Sequence, residues 1–542
     1  PCVAMLVACG GGGEHASASA SGSTGAGGAG GARATTLSLP QFVHGAARVD
    51  AAFAGTIPIV VAATGATPDA VDVTVGDANA EAVKDGDRFV ATLDATKLGD
   101  VPRAVTARAT IGGREVATAK GTLSVAAGSL QFTSFSAVGP AYASHLAYDA
   151  ADDALDLTWV SVAGGKHGLW LAEIDGAFER LHAHDVALGD PSDEPLDGHT
   201  AFADDGRIGV VYRTAKPGDV HWLVKMRVVD KTGKALVPTM DLTDGQAAFT
   251  PTQAGVDPGG FSAAWLHISP PNPSPPPVEV RFSRWDDAKK KLVGPITLDR
   301  DHPEAMGTTA GPQILEPLAE LGVACNAKVC VVTYTRDVYI PLVDLNVPKL
   351  FVAVVDLAKG ALARPPTPVE ATDWDTQEFG HQVVALADGS FQLVYTANDT
   401  AAAVDPKTPC DESLERDLLF SVKLDASGKL VGKPVPIFDH EGSREFPRVS
   451  PHPAGFALFW EDQRSECAAN GHIRMTANVA GPALGGLLDP YVELPDSVGL
   501  PPEDPTLATV ATNFAVGWSD DRHGMGLADP KPEIFLDTYW RK

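Results

Sequence analysis

From about residue 140 onward the chain repeats one arrangement of apolar and polar positions: an apolar strand, a short polar turn, and a second apolar strand closing on a large aromatic. The seven instances are AYDAADDALDLTWV closing on Trp159, AFADDGRIGVVYR on Tyr212, AGVDPGGFSAAWL on Trp265, VACNAKVCVVTYT on Tyr334, ALADGSFQLVYT on Tyr395, VSPHPAGFALFWE on Trp460 and ATVATNFAVGWSD on Trp518. Period-two alternation across a tight turn predicts a β-hairpin. Spacing between successive aromatics runs from 53 residues (Trp159 to Tyr212) to 69 (Trp265 to Tyr334), so the hairpin is constant and the insertions fall in loops.

After each aromatic come a polar stretch and a third alternating strand: LWLAEID, LVKMRVVD, VEVRFSRW, LFVAVVD, LLFSVKLD, HIRMTANV and IFLDTYW. Turns such as Lys231-Thr232-Gly233 and Ala426-Ser427-Gly428 then lead in several repeats to a fourth short strand. Four strands repeated seven times predict a seven-bladed β-propeller. The seventh repeat reaches Lys542 without a fourth strand, while a strand-like stretch, Ser129 to Val138, precedes the first repeat. That stretch is expected to supply the missing outer strand and close the ring, leaving no open sheet edge.

A different alternation occupies residues 36–127. Short runs at Ile57 to Val61, Val71 to Val75, Phe89 to Leu93, Val105 to Ile111 and Glu115 to Val125 are separated by Asp85-Gly86 and Gly112-Gly113. The segments KDGDRFVATLDATKLGD and VTARATIGGREVATAKGTLSV resemble the last half of a bacterial immunoglobulin-like domain. The resemblance implies a small β-sandwich used as a spacer or adhesive module. The predicted fold class is therefore all-β: a sandwich at 36–127, then a propeller at 128–542.

Composition narrows the partners. Apolar residues make up 44% and charged residues 20% of the 542, enough for a packed core. Acids outnumber bases 69 to 42, a formal charge of -27 that repels phosphate backbones and argues against nucleic acid as a partner.

At the other end, Val3-Ala4-Met5 lead into Leu6-Val7-Ala8-Cys9, which resembles a bacterial lipobox. The resemblance implies cleavage before Cys9, a diacylglyceryl group on its thiol, and attachment to a membrane. It divides this end into a signal-peptide remnant, 1–9, and a Gly, Ser and Ala-rich tether, 10–35. Gly10 stands where an aspartate would imply inner-membrane retention, so the implied location is the bacterial outer membrane. Export fits the cysteines. Cys325, Cys330, Cys410 and Cys467 are an even set suited to two disulfides in an oxidising compartment, and four cysteines allow three pairings. Cys410 and Cys467 fall after the second strands of neighbouring blades, and Cys325 and Cys330 flank one hairpin.

Two sets of polar residues are candidates for binding. Trp-x-Asp-x-Arg occurs twice, as Trp460-Glu461-Asp462-Gln463-Arg464 and as Trp518-Ser519-Asp520-Asp521-Arg522. With EFPRVSPHPAGFALFWED, these phrases resemble repeats of the sialidase-like and TolB-like propellers of bacterial envelopes. Their recurrence also suits a fold-maintaining role, in which the Asp caps a loop and the Arg pairs with a carboxylate of the next blade. The second set precedes the innermost strands: Glu194, Glu378, Glu445 and Asp504, followed by His381 and Arg448. In register, these acids would ring one mouth of the central channel and focus a potential suited to a cation. No cofactor motif occurs, and a structural calcium ion is the one group these carboxylates leave open. The S-x-D-x-G-x-x-W box of sialidases is absent, as are H-E-x-x-H, G-x-S-x-G and a P-loop. No catalytic residue is assigned. A lipid-anchored envelope protein that binds a protein or glycan through its propeller loops is the leading expectation; a carbohydrate-active hydrolase or lyase is the alternative.

Overall fold

A computed structural model describes residues 34–50, 55–99, 101–126, 128–132, 141–163, 166–215, 222–243, 248–268, 278–300, 313–314, 321–340, 345–369, 378–398, 417–437, 444–462, 474–480, 503–520 and 533–540. Apart from one turn of 3-10 helix, Ala95–Lys97, the regular structure of these residues is β-strand.

The N-terminal unit holds eight strands: β1 (Thr36–Ser38), β2 (Ala46–Asp50), β3 (Thr56–Thr64), β4 (Ala70–Val75), β5 (Ala78–Asp85), β6 (Arg88–Asp94), β7 (Arg103–Ile111) and β8 (Arg114–Ala126). They hydrogen-bond in the order β1-β3-β6-β5-β4-β7-β8-β2. β5 pairs along its first half with β4 and along its second half with β6, so the sheet turns a corner there and folds over one core. Alternate residues supply that core, among them Ile57, Ile59 and Val61, Val71, Val73 and Val75, and Val105, Ala107 and Ala109.

Seven antiparallel blades follow. Blade one is built from Ala141–Asp149, Ala154–Ala163, Lys166–Ile174 and Val186–Ala187; blades two to five repeat the four-stranded plan. The expected closure is present: Leu130–Phe132 pairs antiparallel with Glu533–Trp540 and completes blade seven from the other end of the propeller.

The seven hairpin aromatics, Trp159, Tyr212, Trp265, Tyr334, Tyr395, Trp460 and Trp518, are fully buried. Each packs backward onto the preceding blade. Tyr212 lies among Val160, Leu169 and Leu171 of blade one, Trp460 among Val394 and Leu419 of blade five, and Trp518 among Ala457, Phe459 and Val479 of blade six. Trp159 closes the circle against Ala508, Ala515, Ile534 and Leu536 of blade seven. The repeated aromatic is therefore the filler of an inter-blade seam, which explains why it tolerates Tyr or Trp and no small residue.

Ion pairs reinforce one seam. Lys231, in the turn after the third strand of blade two, reaches back to four carboxylates of blade one: Asp149 (2.6 Å), Asp152 (2.9 Å), Asp156 (3.4 Å) and Glu173 (2.9 Å). One cation cannot neutralise four acids. Burial pushes the carboxyl of Asp156 up to about 7; Lys231 opposes that rise, and Glu173 and Asp149 add to it.

The N-terminal unit docks on the propeller where blades seven and one meet. The Gln41 amide donates to Thr512 Oγ1 and Asn513 Oδ1, both at 3.0 Å, and the His44 N–H donates to Asp153 Oδ2 at 2.8 Å. Trp540 inserts into the core of the N-terminal unit, and its indole N–H donates to the Arg48 carbonyl at 2.6 Å. Gly176 makes the approach possible, since a Cβ there would sit 2.2 Å from the Ala46 carbonyl oxygen. Asp153 and Thr512 belong to first-hairpin turns, so the docked rim is the one at which the innermost strands end.

The Cys325–Cys330 disulfide joins directly paired residues across the first hairpin of blade four. Cys9, Cys410 and Cys467 lie outside the described residues, as does the proline-rich stretch Pro270 to Pro277.

Two stability measurements test this account. Phe132, in the closing strand, meets Trp159 edge-on at 5.3 Å and lies under the Arg180 guanidinium. Phe132→Ala should cost about 3–5 kcal/mol in denaturant unfolding; a loss below about 1 kcal/mol would show that the seam does not depend on it. Asp156 has its carboxyl pKa raised on folding, so its contribution is fully present below about pH 4 and is lost as pH rises through about 7. Asp156→Asn should therefore be near neutral at pH 5 and raise Tm relative to the parent at pH 9. The reverse order would contradict the burial argument.

Candidate functional site

The innermost strands of all seven blades surround a central channel of about 890 Å³. Register shows how its wall is layered. In each blade one inner-strand residue pairs with the residue just before the hairpin aromatic. These are His145 opposite Thr158, His199 opposite Val211, Gln253 opposite Ala264, Gly322 opposite Thr333, Gln382 opposite Val394, Arg448 opposite Phe459 and Thr506 opposite Gly517. All seven line the channel. They form a polar ring, two histidines, two glutamines, an arginine and a threonine interrupted by one glycine.

One residue further along, Leu146, Thr200, Ala254, Val323, Val383, Val449 and Leu507 make a mainly apolar layer. The layer after that, Ala147, Ala201, Gly255, Ala324, Val384, Ser450 and Ala508, is small throughout. Small residues let the strands converge: a Cβ on Gly255 would stand 2.5 Å from the Val323 side chain. The polar ring lies on the side of these layers where the inner strands begin, which is the rim opposite the docked N-terminal unit.

Ring members divide by their bonds. His145 Nδ1 bonds to the Thr200 carbonyl at 2.7 Å, Thr506 Oγ1 accepts the Leu146 N–H at 2.8 Å, and Gln382 Oε1 accepts the Val449 N–H. These three stitch neighbouring inner strands together. The side chains of His199 and Gln253 make no hydrogen bond among the described residues, and that of Arg448 donates only Nη1, to the Pro447 carbonyl of its own strand at 3.2 Å. No described carboxylate pairs with Arg448. The one carboxylate in the described lining, Asp197, is held by Arg213 at 3.0 Å.

Both ring histidines are neutral at neutral pH. His199 is half-exposed to the lumen yet enclosed by protein; burial lowers its pKa to about 3, helped by the charges of His145 and Arg448. Burial also lowers His145, against the bond to Thr200. Because Nδ1 of His145 faces a carbonyl it must carry the proton, which leaves Nε2 an acceptor.

The structure separates the residues singled out from sequence. His381 and Arg448 line the channel, His381 buried and Arg448 half-buried. Glu378 does not face it: at 1% exposure it accepts the Leu350 N–H of blade four at 2.8 Å and so binds two blades together. Glu194 is exposed just before the inner strand of blade two, where its N–H donates to Thr214 Oγ1. Glu445 and Asp504 are the second residues of the inner strands of blades six and seven, Arg444–His452 and Glu503–Val510. Glu461 is buried at the end of the second strand of blade six, and Asp462 and Asp520 end the second strands of blades six and seven. Arg464, Asp521 and Arg522 lie outside the described residues. Among the described residues no group of three or more His, Cys, Asp or Glu is placed to hold a metal ion.

His145, His199, Gln253 and Gln382 were not singled out from the sequence. They precede their aromatics by 14, 13, 12 and 13 residues, because hairpin turns of different length intervene. Folding each hairpin about its turn would have aligned them; reading them at a fixed offset could not.

No family model matches the chain, and no curated protein matches its sequence. Solved structures are similar at low identity. The alpha-L-arabinanase of Penicillium chrysogenum, complexed with arabinobiose, is 11% identical with a TM-score of 0.40, over 63% of this chain and 93% of that one. An auxiliary nutrient binding protein from Bacteroides ovatus is 11% identical with a TM-score of 0.31, over 94% and 98%. A polysaccharide lyase is 9% identical with a TM-score of 0.42, over 80% and 94%. Likeness at this level carries no argument about ligand or activity.

Acid unfolding tests the ring. A histidine whose pKa falls on folding contributes stability that is present above about pH 6.5 and is lost as pH falls toward 3. His199→Gln should flatten the decline in Tm between pH 6.5 and 4 while changing Tm little at pH 8. An unchanged acid limb would place His199 in open solvent.

Proposed function

We propose that this chain is an envelope lipoprotein, anchored through Cys9 in the bacterial outer membrane, whose propeller binds a protein or glycan through the rim where its innermost strands begin. The observation that carries this reading is the asymmetry of the two rims. At the rim where inner strands end, hairpin turns are short (Asp149 to Ala154, Asp257 to Gly260, Val510 to Asn513) and the N-terminal unit is docked. At the opposite rim the second and third strands of blades five, six and seven are joined by the long stretches 399–416, 463–473 and 521–532. Loops of that length on a rigid scaffold are where binding function usually resides.

The position of the N-terminal unit gives the asymmetry a direction. The tether at 10–35 enters that unit, read here as an immunoglobulin-like spacer, and the unit holds the short-turn rim. The long-loop rim then faces away from the anchoring surface, toward whatever the propeller meets. The cysteines of that rim, Cys410 and Cys467, are proposed to bridge blades five and six.

Replacing 399–416 and, separately, 521–532 by short Gly-Ser turns tests the reading. The 521–532 variant should keep the parent Tm within about 2 °C, since no inter-blade aromatic is touched; the 399–416 variant also removes Cys410 and with it the proposed bridge, and should melt lower. Both should lose retention on a panel of envelope extracts and glycans that retains the parent. Parent-like retention by both variants would remove the rim from consideration. Turnover of a sugar polymer by the parent would instead favour the hydrolase or lyase alternative, to which the open channel at the same rim lends support by its size.

A further inference from the structure

The channel is chemically unlike the rest of the molecule. A chain with 69 acids against 42 bases brings one arginine and three histidines, His145, His199 and His381, to the lining of its central cavity. The only carboxylate described there, Asp197, is already neutralised by Arg213. An arginine with no anionic partner inside a cavity retains most of a planar fork of donors suited to bidentate capture of a carboxylate.

Three ring members are not used by the fold: Arg448 from blade six, His199 from blade two and Gln253 from blade three. Their polar atoms form no bond to another strand among the described residues, whereas His145, Gln382 and Thr506 each join two blades. Arg448, His199 and His145 all line the one cavity, so groups from blades six, two and one share its lumen. The neutral His145 adds a hydroxyl acceptor at Nε2, and Gln253 supplies both a donor and an acceptor. Beneath them the lining continues into a mainly apolar layer in which Leu146, Val383, Val449 and Leu507 are buried in the inter-blade cores and Val323 stays partly exposed.

We propose that the channel binds a sugar acid: the carboxylate on Arg448 and the ring hydroxyls on His145, His199 and Gln253. A bare inorganic anion would use Arg448 and leave the hydroxyl-accepting groups unused. A neutral sugar would use those groups and leave the guanidinium without a counter-charge. The volume of about 890 Å³ is in the range that holds a small oligosaccharide. The site goes beyond the rim reading and stands independently of it.

Calorimetric titration of the full chain with glucuronate, glucose and sulfate tests the assignment. Glucuronate should bind saturably and glucose about tenfold or more weaker. Sulfate should compete poorly. Arg448→Gln should weaken glucuronate about tenfold or more and leave glucose unchanged, while Gln253→Leu should weaken both sugars. Gln253 contributes no bond to another blade, so its variant keeps the test decisive should Arg448→Gln not fold. The rim-loop replacements should bind glucuronate like the parent, which separates failure of this site from failure of the rim. Three results would each overturn the proposal: no saturable glucuronate binding, equal binding by the parent and either variant, or sulfate competing as well as glucuronate itself.

Discussion

A single blade of this propeller has apolar side chains on both faces of a sheet only three or four strands wide, so no blade can bury its own surface. Burial comes only from stacking, and the group that makes each stack work is the aromatic that ends the second strand. With every one of the seven fully buried against the blade before it, the ring is a set of seven equivalent seams. Closure by Leu130–Phe132 matters for the same reason: without it, the seam between blades seven and one would lose Phe132 and expose a strand edge.

That constraint explains how much could be read from the sequence. The hairpin and its aromatic are local, so the repeat was legible despite spacings that vary by 16 residues, from 53 to 69. The closing strand was legible because seven repeats with one strand missing leave a definite vacancy. Cys325 and Cys330 flank one turn, but four cysteines left three pairings open; the bridge follows from their direct pairing in the hairpin. Docking of the N-terminal unit was not readable. It depends on Gly176, Gln41 and Trp540, far apart in the chain and brought together only by ring closure.

The channel lay between these cases. Arg448 and His381 were placed there from sequence, and both line it. The acids next to them were expected to matter as well, yet Glu378 turns away to hold Leu350 of the neighbouring blade. Register decides such cases, and β-bulges between Phe379 and His381 and between Glu445 and Arg448 shift it within the strands concerned. A residue's distance from a motif in sequence therefore does not fix which way it faces. The polar ring appears only once pairing partners are known, and among the described lining residues it sets Arg448 and three histidines beside a single carboxylate, Asp197.

Trp540 has a further consequence, for how the two units fail. It lies in the third strand of blade seven, yet it belongs to the core of the N-terminal unit, and its strand also receives the closing strand of the ring. Loss of that strand therefore leaves two defects at once, an open ring and an unfilled core, and both expose apolar surface that proteases and chaperones recognise. One side chain thus ties the integrity of the N-terminal core to closure of the ring.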